Sequence, residues 1–363
     1  MKFSRLKHFL FAVSVILTSL LGLSVATLVM ARSDWHDFDV FYNAASATLA
    51  GKSIYIIVGQ YNLPFWYLPW TAWFYIPYAI FPKHIGLLLY QATSVISAIL
   101  IVNSLARYYQ PNFKFQDKIL ILAFLVPMSL QLIMVGQMDY ILLGLLVCII
   151  WGAEHKKDIL VGILYPFLLT KPHLIIPFSI FLFWRSGKRT LLVSILFSIA
   201  MLLIETLLSP GWHLEMLRSL QVSGQRVDGL PFATFPSLLG LQENWIGTAN
   251  LPFTLLLIAF AILVLWKFRS LSTVPFLSLA LAASLFCAPR AYAYDLPMLI
   301  PAMIWLTAQD FNLRWWLWVC VGIFSIFTLF SSNIYWITLL VFGLSIHKSY
   351  KAISSCSSPA SAL

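Results

Sequence analysis

The chain has 363 residues, of which 61% are hydrophobic and only 10% charged, with a mean hydropathy of +0.87. A water-soluble domain carries about 25% charged residues, so an ordinary soluble fold is excluded. The net charge of +10 arises from Lys and Arg in short loops between apolar runs, which reports membrane topology and not nucleic-acid binding.

In chain order, a basic start (Lys2, Arg5, Lys7) precedes an apolar run over residues 9–31. That run is too long for a cleaved signal and reads as an uncleaved first helix starting in the cytoplasm. Further apolar segments cover roughly 64–81, 85–106, 119–135, 138–152, 159–170, 172–184, 190–208, 251–268, 272–286, 295–308, 315–330 and 333–346. Basic groups separate many of them: Arg107/Lys114/Lys118, His155/Lys156/Lys157, Arg185/Lys188/Arg189, Lys267/Arg269, Arg314 and Lys348/Lys351.

If every short basic loop is cytoplasmic, strict alternation leaves one segment too many. Segment 64–81 is the one to remove. Three prolines interrupt it, and its Trp and Tyr residues suit the membrane–water interface. The expectation is an all-α polytopic membrane protein with about 12 transmembrane helices and both termini inside. One membrane domain covers 1–350, with a first outer loop at 32–84 that carries short interfacial helices. A large outer loop covers 209–250, and a disordered cytoplasmic tail covers 351–363.

This topology gathers the scattered polar residues on the outer side. Three of the thirteen carboxylates, Asp34, Asp37 and Asp39, fall just beyond the first apolar run. They precede Asn43–Gly51, a short helix ending at a glycine stop, so an N-cap role is open to them. A general-base role is equally open to an acid at the mouth of an apolar cavity. Gly136-Gln137-Met138-Asp139 reads as a helix break with two polar residues meeting water. Lys171, in Thr170-Lys171-Pro172-His173, lies inside an apolar run, where a cation is costly unless it snorkels or has a function. His173 reads as a polar lining residue. Arg290 suits phosphate. Asp295 can cap the next helix. No metal-ligand spacing occurs, and Cys148, Cys287, Cys320 and Cys356 fit no zinc, haem or redox pattern.

Several of these stretches together resemble glycosyltransferase family 87, membrane enzymes of the GT-C fold that use polyprenyl-phosphate sugars. The first is Asp37-Phe38-Asp39-Val40-Phe41-Tyr42, followed by Ala44-Ala45 and Leu49-Ala50-Gly51-Lys52-Ser53-Ile54-Tyr55. The others are Gly136-Gln137-Met138-Asp139, Gly162 to Pro172 around Lys171, and Ala288 to Pro297 with Tyr294 and Asp295. The resemblance spans roughly residues 8–310.

It implies a GT-C helical bundle in the cell membrane with its active site on the outer side. The activity implied is transfer of mannose or a similar sugar from a polyprenyl-phosphate donor to a lipid or glycan acceptor, without a cofactor. It makes Asp37 the catalytic base, a position that Asp34 and Asp39 do not hold. Beside that carry-over, Asp139 is expected as the second catalytic residue, and Asp34, Asp39, Tyr42, Gln137, Lys171, His173, Arg290, Tyr294 and Asp295 are expected to bind substrate. The late loop lacks the family's His, and Ala288 replaces its usual Ser. A secondary transporter or lipid flippase without catalysis is the alternative; it would place polar residues near mid-membrane in paired halves.

Overall fold

A computed structural model of the chain describes residues 37–55, 65–109, 129, 132–133, 135–224, 250–288, 291, 293–308 and 335–357. All regular structure among the described residues is helical. The expected spans at 9–31, 119–135 and 315–330 lie outside or almost wholly outside these residues.

Helix α1, Asp37–Leu49, starts six residues earlier than the glycine-stopped helix expected at Asn43. Asp37 and Asp39 sit in its first turn, where acids complement the helix dipole. Phe38, Phe41, Ala44 and Ala45 form its buried face. The stop is where the sequence put it. Gly51 has φ 63°, and the Lys52 amide returns to the Ala47 carbonyl at 2.9 Å.

Segment 64–81 forms two single turns, α2 (Trp70–Trp73) and α3 (Ile76–Ala79), so it is broken as its prolines require. Two of its aromatics are buried in protein: Trp70 is 2% exposed, and Tyr75, 0% exposed, packs into the core beneath α1. Tyr75 stacks between Phe41 (centroids 4.5 Å apart) and Tyr90 (5.3 Å). Each such pair contributes about 0.5–1.5 kcal/mol beyond area burial.

The remaining helices are α4 (Lys83–Tyr109), α5 (Asp139–Glu154), α6 (Asp158–Leu168), α7 (Ile176–Ser186), α8 (Lys188–Leu208) and α9 (Trp212–Gly224). After them come α10 (Asn250–Lys267), α11 (Thr273–Cys287), α12 (Ile300–Thr307) and α13 (Tyr335–Ser357). Among the described residues only α4 and α8 are long and apolar enough to cross a membrane, so about twelve spans are not reproduced there. The last helix runs through Ser357, well into the tail expected to be disordered from 351.

Helix α11 is buried along nearly its whole length and forms the centre of the bundle. Small residues let its neighbours approach: Ser284 Oγ accepts the Phe178 amide at 2.8 Å, and Ser278 meets the Tyr109 hydroxyl at 2.9 Å. Conversely, α8 presents Leu192, Ile195, Leu196, Ile199, Leu203 and Leu207 outward, as a lipid-facing helix does. Short turns at 155–157 and Gly187 reverse the chain, so α5, α6, α7 and α8 run alternately up and down. Asp139, Lys171 and Ser209 therefore fall at one end of the bundle, and Lys156, Arg185 and Arg189 at the other.

Candidate functional site

Four breaks in helical structure meet at the first of these ends, and each delivers a polar side chain. The first is the start of α1, which brings Asp37. The second is the turn before α5. Here Gly136 has φ 79°, and a Cβ on it would overlap the Phe38 Cβ and lie 3.1 Å from the Phe38 Cα. Only glycine satisfies both conditions. This close approach puts Gln137 beside Asp37, and Gln137 Nε2 donates to Asp37 Oδ2. The Gly136 carbonyl accepts the Tyr75 hydroxyl at 2.9 Å, and the Gln137 carbonyl accepts the Tyr90 hydroxyl. The turn is thus pinned from below by the aromatic stack.

Replacing Gly136 with Ala should therefore destabilise the protein by about 2–4 kcal/mol, from left-handed strain plus overpacking. Thermal unfolding in detergent reads the first effect. A transfer assay reads the second, because Gln137 moves off Asp37.

The third break is Thr170-Lys171-Pro172. Pro166 lies inside α6 near its end, and Leu169, Thr170 and Lys171 close three-residue turns onto 166, 167 and 168. Pro172 then opens a 3-10 turn, so the chain reverses at Lys171. The fourth is the 3-10 helix Ala293–Leu299, which brings Tyr294 and Asp295.

These last two breaks meet at the start of α5. Lys171 Nζ lies 2.8 Å from both carboxylate oxygens of Asp139 and 2.8 Å from Asp295 Oδ1. The Lys171 side chain is 5% exposed, Asp139 0% and Asp295 1%. The Tyr294 ring lies 4.7 Å from the ammonium. A buried cation with two buried carboxylates holds together only as a unit, since any one charge alone is strongly penalised there. The ammonium donors are directed at Asp139 and Asp295, so a phosphate approaching Lys171 has to displace one of them.

Tyr67 links the two halves. Its buried phenol lies beside the Gln137 side chain, within electrostatic range of Lys171, Asp37 and Asp139. Burial raises its pKa well above the ordinary tyrosine value, so the hydroxyl stays protonated near neutral pH. Its backbone carbonyl accepts the Tyr55 hydroxyl at 2.9 Å. Helix α9 secures the same loop: Glu215 accepts the Ser53 hydroxyl, and Ser219 Oγ donates to the Phe65 carbonyl at 3.0 Å.

Of the sequence candidates, Asp37, Gln137, Asp139, Lys171, Tyr294 and Asp295 come together. His173 is half-buried on the 3-10 turn beside Lys171. Asp39 instead pairs with Lys83 at 2.7 Å, and the Tyr42 hydroxyl donates to the Phe81 carbonyl at 2.8 Å. Both residues pin α1 to the start of α4. Asp34 and Arg290 lie outside the described residues. Tyr67, Tyr75 and Tyr90 are not among the sequence candidates, since the first two lie in the run read as interfacial and the third in the apolar segment 85–106. Among the described residues no group of three or more His, Cys, Asp or Glu is arranged to hold a metal ion.

The sequence model of glycosyltransferase family 87 matches residues 65–291, more than half of the chain. The chain belongs to glycosyltransferase family 87. It is therefore a membrane glycosyltransferase. The family 87 match takes in the Gly136–Asp139 turn and the Lys171 break, and it begins after Asp37, so it is narrower than the resemblance read over 8–310. No curated protein and no solved structure matches the chain.

Proposed function

We propose that the chain moves a sugar, mannose or a similar hexose or pentose, from a polyprenyl-phosphate donor to a lipid or glycan acceptor at the outer face of the cell membrane. Asp37 is the general base. The acceptor oxygen attacks the anomeric carbon as the bond to the phosphate oxygen breaks. The acceptor proton passes to Asp37, and polyprenyl phosphate leaves with the bonding pair. A single displacement of this kind inverts the anomeric centre.

The observation that carries the reading is the meeting of Asp37, Gln137, Tyr67 and the Asp139–Lys171–Asp295 unit at one end of the bundle. Gln137 orients the Asp37 carboxylate, and the Gln137 Oε1 atom is buried without a hydrogen-bond partner. A donor sugar or acceptor hydroxyl would satisfy it. Asp139 and Asp295 are the other sugar-binding acids, with Tyr294 and His173 beside them. Lys171 holds Asp139 and Asp295 in register and meets the phosphate only as one of them lets go. Arg290 supplies the remaining cation for the leaving group.

A transporter or flippase would need polar groups in two halves near mid-depth. The polar groups here collect at one end, in a family of transferases. The test is incubation of the purified chain with a panel of polyprenyl-phosphate sugars and lipid acceptors, followed by mass analysis. One glycosylated product, with release of polyprenyl phosphate, supports the reading. Movement of intact donor across vesicles without any glycosylated product contradicts it.

A further inference from the structure

At the opposite end of the bundle lies a cleft of about 230 Å³ lined by Lys156, Lys157, Asp158, Ile159, Leu160 and Arg189. It is separated from the candidate site by the length of α5, sixteen residues or about 24 Å. Three cations face one acid there, and none of the ion pairs among the described residues uses them. Arg185, nearby in sequence, is by contrast committed to the carbonyls of Arg269 and Leu271.

Two further features are informative. Lys156 has φ 54°, the one non-glycine residue with positive φ among those described. A tight turn at this position favours glycine on conformational grounds, so the lysine side chain is kept against a backbone cost. Ile159 and Leu160 line the cleft, Ile159 being 51% exposed, and Leu191 and Leu192, the second and third residues after Arg189 on α8, also face outward. Trp151, exposed on the last turn of α5, is a residue type that settles at headgroup depth.

We propose that this cleft binds the headgroup of an anionic glycerophospholipid from the leaflet facing the basic end. Lys156, Lys157 and Arg189 meet the phosphate, and one acyl chain runs down Ile159 and Leu192. Charge complementarity selects the headgroup, and the adjoining lipid-facing stripe selects a lipid over a soluble anion. The site is independent of the transfer reaction and rests on none of its residues.

The test uses the full chain purified in neutral detergent and titrated with cardiolipin, with bound lipid counted by native mass spectrometry. Each basic residue near an anionic headgroup contributes on the order of fivefold, so Lys156→Gly/Arg189→Gln should raise the half-saturating cardiolipin concentration roughly twentyfold. Glycine at position 156 relieves the backbone, so thermal unfolding should not fall. Arg189→Gln alone, at an exposed helix start, should show about a fivefold loss. A control of equal charge change outside the cleft, Lys267→Gln/Lys351→Gln, should bind as the unaltered chain does. Equal losses in cleft and control variants, or no loss in either, overturn the proposal. So does full competition by millimolar inorganic phosphate, which would make this a site for a free anion.

Discussion

Replacing Asp37 with Asn should lower the transfer rate by about a hundred- to ten-thousandfold, the usual contribution of a general base. The substitution is chosen for what it keeps. The amide oxygen of the introduced asparagine still accepts the hydrogen bond from Gln137 Nε2, and Asp37 stands half-exposed at the start of α1, away from the buried ion cluster. Unfolding temperature and expression should therefore stay close to those of the unaltered chain. The loss should appear in kcat, with donor affinity little changed, because a base acts on the acceptor proton and not on donor binding. An Asp37→Asn variant with near-normal kcat removes this residue as base, whatever else the site does.

Lys171→Met should act in the opposite manner, through stability first. It leaves the Asp139 and Asp295 carboxylates buried and facing each other without their shared cation. Breaking such a buried unit costs on the order of 3–5 kcal/mol, a large part of the stability of a typical domain. Substituting Lys171→Met, Asp139→Leu and Asp295→Leu together removes the charges as a set and should restore most of the unfolding temperature, because replacing a buried ion cluster by hydrophobic residues of similar volume is often close to neutral in energy. Transfer should not return with it. The two readouts separate a cluster that only holds helices together from one that also presents Asp139 and Asp295 to a sugar. Recovery of both stability and full activity in the triple variant would make the cluster purely architectural.

The sequence carried the local half of this arrangement. Gly51 is readable as a helix stop, Gly136 as a break, and Pro172 as the end of the run holding Lys171, because each depends on neighbours within a few residues. The prolines of 64–81 likewise signal a broken element. What could not be read was tertiary. Lys171 finds carboxylates 32 and 124 residues away, and nothing near it in the chain distinguishes a phosphate ligand from an ion-pair partner. Asp37 is legible as an acid of interest, yet its helix starts with it, because the Phe38 and Phe41 face is fixed by α2 and α3 and not by the acids themselves. The tyrosines of 67–90 escape a sequence reading for a related reason. A hydrophobic aromatic run suits the interface or the core equally well, and only the packed structure reveals the Tyr75 and Tyr90 hydroxyls under the Gly136–Gln137 turn. The family 87 match covers that turn and the Lys171 break, two of the four places where helices give way to chemistry.

The proposed reaction needs a polar pocket at one end of the bundle, open to the outer face and served by Asp37, with the basic loops at the other end. Membrane-impermeant maleimide labelling in a cysteine-free background tests it most directly, with single cysteines placed at 37 and at 156. Position 37 should label in intact cells and be shielded by added polyprenyl-phosphate sugar, whereas position 156 should label only once the membrane is opened. Labelling of position 37 from the inside, or from both sides in alternation, would contradict an outward-facing transferase site.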